Sequence, residues 1–332
     1  MAVPPTMRAL VVRGHEGGAA SVELREVPVP APGPGQVLVR VARAALNPND
    51  LLALRAAYDV PKPVGAVAGF EGSGTVVAGD GLLARLMVGR RVAFQALATS
   101  GTWAELALAE VMRCVPLRAG VSDDEGATLL TNPLTATVLV ERAIAEGHRA
   151  VVQAAAAGAL GKMIARLALH RGLPMVHVVR GEAQREALRA LGAPHVVDGA
   201  APGFEGELAG LCRELGATLA LDPVAGPMTG TLLRALPDGG VVRVYGTLSG
   251  APSVFDPDDV VFRGKRIEGF TMYTWVRGTS LPRQVATLMR AQAMQRGPLA
   301  TEIRARVPLE GYAAAIADYE RAMSGGKVLF AP

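Results

Sequence analysis

The chain has 332 residues, half of them apolar and 19% charged, with a mean hydropathy of +0.28; one core rarely serves such a length, so two domains are expected, and a largely disordered chain is excluded. The net charge of +4 comes with scattered arginines, no run of five basic residues and 4% aromatics, a pattern that argues against nucleic acid as a partner. Two cysteines, Cys114 and Cys212, supply neither a disulfide framework nor a Cys-rich metal site. Residues 1–7 lack a basic start before an apolar block, and no uncharged stretch is long enough for a bilayer, so a cytoplasmic protein with no membrane span is expected.

In chain order, the segment up to residue 123 carries short β-type runs at 9–12, 36–42, 74–77 and 91–94, broken by Gly and Pro. Pro28, Pro30, Pro32 and Pro34 make residues 28–35 a turn-rich connection rather than a central strand. From residue 124 helices alternate with apolar strands at 150–153, 175–179, 195–197, 218–221, 241–245 and 266–270, the signature of a doubly wound parallel sheet. Leu191-Gly192-Ala193 and Leu215-Gly216-Ala217 each end a helical stretch before a strand, where glycine suits the left-handed cap. Beyond Thr271 a long helical pattern at 281–296 and a strand-like 327–330 hold too little apolar material to stand alone, so they are expected to return to the first domain.

The stretch Val151-Val152-Gln153-Ala154-Ala155-Ala156-Ala157-Gly158-Ala159-Leu160-Gly161 reads as a buried strand, a small-residue turn and the first turn of a helix. The N–H groups and dipole at that helix start suit a pyrophosphate, although Ala156 stands where the dinucleotide fingerprint has its first glycine. A tight helix–sheet contact is the alternative. At the end of the second strand, Val178-Val179-Arg180-Gly181 places a cation where an NAD-binding domain usually has Asp or Glu. This favours NADPH, because a guanidinium bonds a 2′-phosphate in bidentate fashion; a solvated arginine is the other reading.

This order of segments resembles the medium-chain dehydrogenase/reductase superfamily over nearly the whole chain. Where the zinc branch carries Gly-His-Glu, this sequence has Gly69-Phe70-Glu71-Gly72, and the five histidines (His15, His148, His170, His177, His195) show no ligand spacing, so no metal is expected. Within the zinc-free branch, Asn47-Pro48-Asn49-Asp50 followed by Tyr58 is similar to an element of quinone oxidoreductases and of mitochondrial-type 2-enoyl thioester reductases. The spacing from Tyr58 to Glu71 looks like the latter, as do Asn132-Pro133-Leu134-Thr135-Ala136, Tyr245-Gly246-Thr247-Leu248, Phe270-Thr271-Met272-Tyr273-Thr274-Trp275 and Lys327.

The resemblance implies an α/β fold: a GroES-like, mostly β catalytic domain (1–123 and 272–332) into which a Rossmann NADPH-binding domain (124–271) is inserted. It implies Tyr58 and Asn47 as catalytic residues. Cofactor contacts would fall on Asn132, Thr135, Ala157, Gly158, Ala159, Leu160, Arg180, Gly181, Glu182, Tyr245, Gly246, Thr247, Leu248, Phe270, Thr271, Met272 and Lys327. The resemblance also implies a homodimer paired by edge strands, with the apolar run at 266–275 as the candidate edge. The chemistry can be argued separately. Hydride delivered to the β carbon of an enoyl thioester leaves an enolate that needs a proton, and a phenol with a pKa of about 10 carries one at neutral pH. The alternatives are a packed Tyr58, quinone reduction without a positioned acid, and a non-catalytic NADPH-binding protein.

Overall fold

In the computed structural model, which describes residues 3–60 and 62–332, the β-type runs of the first segment pair as antiparallel strands. Strands β1 (Thr6–Val12) and β2 (Val22–Pro28) form a two-stranded ladder with Val12 opposite Val22. The larger sheet is built on β3 (Gln36–Ala45), which pairs with β4 (Glu71–Gly79) and β6 (Leu106–Glu110), while β5 (Arg91–Gln95) links β4 to β7 (Cys114–Pro116). Alternation along β3 explains its place: Val37, Val39 and Val41 enter a core with Phe94, Trp103 and Phe330, whereas Leu38 faces a second core with Met7, Val11 and Leu106. Two short helices, α1 (Pro48–Ala53) and α2 (Leu82–Leu86), connect β3 to β4 and β4 to β5, and α3 (Asp123–Ala127) follows β7.

The next segment alternates helices and strands: α4 (Asn132–Ala145), β8 (Ala150–Gln153), α5 (Ala159–Arg171), β9 (Met175–Val179), α6 (Glu182–Ala190), β10 (His195–Asp198), α7 (Phe204–Leu215) and β11 (Ala217–Asp222). It continues with α8 (Pro227–Ala235), β12 (Val241–Val244), α9 (Pro257–Val261), β13 (Arg266–Gly269), α10 (Met272–Gly278) and α11 (Leu281–Met294). The six strands are parallel in the order β10-β9-β8-β11-β12-β13. Winding therefore reverses between β8 and β11, the switch point at which open α/β sheets form a crevice beyond their strand ends. Gly172 and Gly216 end α5 and α7 in the left-handed region, at φ 66° and 67°.

Compactness divides the chain into Met1–Asn132 with Ala300–Pro332, and Pro133–Leu299. The return to the first unit thus begins at residue 300 rather than 272. Long-range contacts tie the segment to the second unit: Arg290 of α11 grips Glu141 of α4 through two bonds of 2.9 and 2.8 Å, and Arg166 of α5 donates to the Pro298 carbonyl at 3.0 Å. The run at 271–275 is also not strand. The Thr271 hydroxyl accepts from the Thr274 N–H at 3.0 Å and starts α10.

The chain then closes the first unit with β14 (Ile303–Val307), α12 (Tyr312–Arg321) and β15 (Lys327–Phe330). Strand β15 lies between β14 and β3, with Leu329 opposite Ala45, and Phe330 meets Trp103 edge-on at 5.0 Å. Among the described residues no helix is long and apolar enough to cross a membrane.

Strand β13 ends the parallel sheet with one side unpaired among the described residues, and Val261 and Phe262, just before it in the chain, are exposed. Such an edge is a template for a second strand. We propose that two copies pair there. Light scattering at micromolar concentration should return a dimer; a monomer would refute the pairing.

Candidate functional site

In the second unit, the residues expected at a cofactor gather at the C-terminal ends of parallel strands. Residues 157–160 follow β8, 180–182 follow β9, 245–248 follow β12 and 270–272 follow β13. The turn after β8 is tight: Ala155 is left-handed at φ 48°, a conformation that costs an L-residue about 1–2 kcal/mol. A Cβ on Gly161 would stand 2.5 Å from the Ala156 carbonyl oxygen and 2.7 Å from that of Ala155, so α5 packs directly on its own loop. Gly158 caps α5 without a side-chain hydrogen bond. The first-turn N–H groups, which have no intrahelical acceptor, are therefore open to an anion.

At the neighbouring strand end Arg180 is exposed, and its guanidinium has no ion-pair partner among the described residues; only its backbone N–H is tied, to Gln184 at 3.0 Å. Glu182, an acidic group next to an expected phosphate, is offset by Arg185 and Arg189, each at 3.4 Å. Gly181, at φ 80°, donates to Asp198 Oδ1 at 2.9 Å, as does Ala200, and these donors hold the Asp198 carboxyl below its ordinary range. A close-approach turn, an uncapped helix start and an unpaired cation fit a dinucleotide with a phosphorylated ribose. Across the switch point Tyr245 is half-buried and its N–H donates to the Asp222 carbonyl at 2.9 Å. A Cβ on Gly246 would meet the Pro223 carbonyl oxygen at 2.7 Å, and Thr247 and Leu248 are exposed. Phe270 is buried, Thr271 is occupied in capping α10, and Met272 is half-buried. Asn132 and Thr135 are buried in the first turn of α4.

The first unit holds a different chemistry. Asn47, fully buried, caps α1, and Asp50 Oδ2 accepts its N–H at 2.8 Å while Oδ1 accepts the Phe70 N–H at 3.1 Å. The Asn47 amide bridges two buried charges: its Nδ2 donates to Glu71 Oε1 at 2.8 Å, and its Oδ1 accepts from Lys327 Nζ. Glu71 Oε2 accepts from the Thr131 N–H at 2.9 Å. Burial pushes the Asp50 carboxyl up to about 7 against the Asn47 donor, and it also raises Glu71 and lowers Lys327, whose opposite charges pull each other back. Lys327, expected at the cofactor, is 1% exposed and directs its ammonium into this network.

Tyr58, beyond α1, is half-buried and packs on Phe70 with ring centroids 5.6 Å apart. Burial raises its phenol above the ordinary value; a hydrogen bond with the Asn49 side chain opposes this, and the charges of Asp50 and Asp59 add to it. The Phe70 ring offers no lone pair, the Glu71 carboxylate is already engaged, and no group of three or more His, Cys, Asp or Glu side chains suited to a metal occurs among the described residues.

Sequence reasoning missed Asp50 and Glu71 as buried partners, Lys62, and Asp198. It also missed Asp222, whose oxygens accept Val224 N–H, Ala225 N–H and the Thr229 hydroxyl at 2.7–2.9 Å after β11. Asp50 was findable, since Asn47 and Asp50 have capping-box spacing. Glu71 and Lys327 were not, because their partner Asn47 lies 24 and 280 residues away.

With this geometry in view, similarity to known proteins is informative. Residues 33–125 match the alcohol dehydrogenase GroES-like domain and residues 159–291 the zinc-binding dehydrogenase family. The chain is 30% identical to the human mitochondrial enoyl-[acyl-carrier-protein] reductase over 329 residues, covering 95% of this chain and 86% of the relative. A Mesorhizobium loti crystal structure described as an NADPH:quinone reductase shares 35% identity over 100% of both chains, with a TM-score of 0.93. A mycobacterial protein complexed with NADPH shares 25% identity and a TM-score of 0.82, over 98% of this chain and all of the other.

The Lys327 network yields a stability test. Lys327→Met leaves two buried carboxyls without their counter-charge and should cost about 3–5 kcal/mol, read by denaturant unfolding. Adding Glu71→Gln should restore part of that loss. A single variant as stable as the parent would show that Lys327 carries no such burden.

Proposed function

Because the chain belongs to the medium-chain dehydrogenase/reductase family of NADPH-dependent oxidoreductases, we propose that it reduces the activated carbon–carbon double bond of a 2-enoyl-CoA or enoyl-carrier-protein thioester. The observation that carries this reading is Tyr58: a half-buried phenol, held by Asn49 and Phe70 and kept protonated by burial. NADPH, when bound, supplies the hydride that reaches the β carbon. The π electrons of the double bond then move to the α carbon and thioester carbonyl as an enolate. Tyr58 gives its hydroxyl proton to the α carbon and is reprotonated from water, which balances the reaction. Asn47 and Asp50 act one step back, by fixing α1 and thus the start of the segment that carries Tyr58. Arg180 selects the phosphorylated cofactor.

Quinone reduction is the second reading, supported by the 35% identity to the Mesorhizobium loti protein. The two readings make different demands on Tyr58, because a quinone takes up hydride without needing a positioned carbon acid. With crotonyl-CoA and a branched enoyl-CoA, Tyr58→Phe should lower kcat by about 10²–10⁴ while NADPH binding persists. Quinone turnover well above every thioester, with an indifferent Tyr58→Phe, would overturn the thioester reading in favour of the quinone.

For the cofactor, Arg180→Ala should weaken NADPH by about 10- to 150-fold and leave NADH nearly unchanged, as loss of a charge-assisted phosphate contact requires. Equal losses for both would make Arg180 structural.

A further inference from the structure

One buried cation in the first unit takes no part in the chemistry above. Lys62 is 1% exposed, its ammonium donates to the Leu97 carbonyl at 3.2 Å, and no carboxylate pairs with it among the described residues. The same Nζ stands 5.0 Å from the centroid of the Phe70 ring, the ring on which Tyr58 packs. Phe70 itself is held by its backbone: its N–H donates to Asp50 Oδ1 at 3.1 Å, and its carbonyl accepts from the Ala96 N–H at 2.9 Å. Two side chains four residues apart on one segment therefore grip a single anchored ring. An apolar residue would fill the Lys62 site without the cost of burying a charge. What lysine adds is attraction to the ring face, which strengthens where water is excluded.

We propose that Lys62 is a positioning residue for Tyr58: its ammonium holds the Phe70 ring by a cation–π contact, the ring sets the phenol, and discharge of the ammonium releases it. The inference rests on Tyr58 as the proton donor. The charged or titratable groups around Lys62 are Asp50 of α1, with Glu71 and Lys327 behind it, and Tyr58 and Asp59 on its own segment. Burial draws Lys62 down to about 8, against the attraction of Asp50. The lysine is thus charged at neutral pH and loses its proton while the Tyr58 phenol, raised by burial, still keeps its own. Activity should therefore fall in alkali through a lysine that does not touch substrate, before the proton donor itself ionises.

The chain has four lysines and five tyrosines, few enough to follow individually by NMR in the full-length protein labelled at lysine Cε and tyrosine Cζ. Lys62→Arg and Tyr58→Phe assign the two resonances. In the parent protein Lys62 should titrate near 8, and the Tyr58 resonance should step at the same midpoint. Lys62→Met should hold Tyr58 at its high-pH position throughout, and Lys62→Arg should hold it at the low-pH position. With whichever enoyl thioester is turned over, kcat should fall about 10- to 100-fold through that midpoint in the parent. It should be low and flat in Lys62→Met, with NADPH affinity unchanged. A Tyr58 resonance without a step at the Lys62 midpoint, or a step that survives in Lys62→Met, overturns the proposal. Should Lys62→Met fail to fold, the parent against Lys62→Arg decides alone, since only the parent should step. An indifferent Tyr58→Phe alongside an intact step would instead refute the proton-donor reading and leave the coupling standing.

Discussion

The structure depends first on an ammonium that water never reaches. Lys327 opens the last strand, and its side chain ends on the Asn47 amide, which holds Glu71 in turn. Those residues begin three different elements: the cap of α1, the first residue of β4 and the first residue of β15. A buried charge tolerates no vacancy among its partners, because an unpaired ion in this setting costs several kcal/mol. Closure of the chain's end onto its beginning is thereby tied to the geometry of the segment that carries Tyr58. The ladder of β15 with β3 and the Phe330–Trp103 contact supply the bulk of the attachment; the ion network adds the register, since a slip would strand the charges.

The second unit solves a different problem, how to bring backbone close to a phosphate. It does so with small residues rather than with polar ones. Ala155 accepts a left-handed backbone, Gly161 lets α5 touch its own loop, and Gly158 leaves the helix start uncapped. A serine or asparagine in the cap would add a side-chain oxygen able to accept those N–H groups, so the glycine cap leaves the first-turn donors of α5 open. Charge is arranged at the strand ends. There Arg180 is unpaired while Glu182, the acidic group that would oppose a phosphate, is neutralised by two arginines.

Both units contain bends whose backbone N–H groups are held by a carboxylate. Tyr58 and Phe70 are half-buried, and Lys62 and Asp50 behind them are buried and hydrogen-bonded. Gly181 is held by Asp198 in the same manner, and the turn after β11 by Asp222. These carboxylates accept backbone N–H groups that would otherwise be orphaned at loop bends, and for Asp50 and Asp222 this offsets burial.

Sequence alone determined whatever depends on neighbours along the chain. The β-type run at 36–42 marked β3, Gly216 marked a helix end, and the alanine-rich stretch marked a tight turn between an apolar strand and a helix. The exposed Arg180 at a strand end was legible for the same reason. Only the tertiary structure decided that residues 272–299 stay with the parallel sheet, because the ion pair of Arg290 with Glu141 and the bond from Arg166 to Pro298 join residues more than a hundred positions apart. It alone put Lys327 in a buried network and set Lys62 over the ring of Phe70. A charged side chain reads as solvated until its counter-charge or its ring is located, and those partners are brought to it by folding, not by spacing.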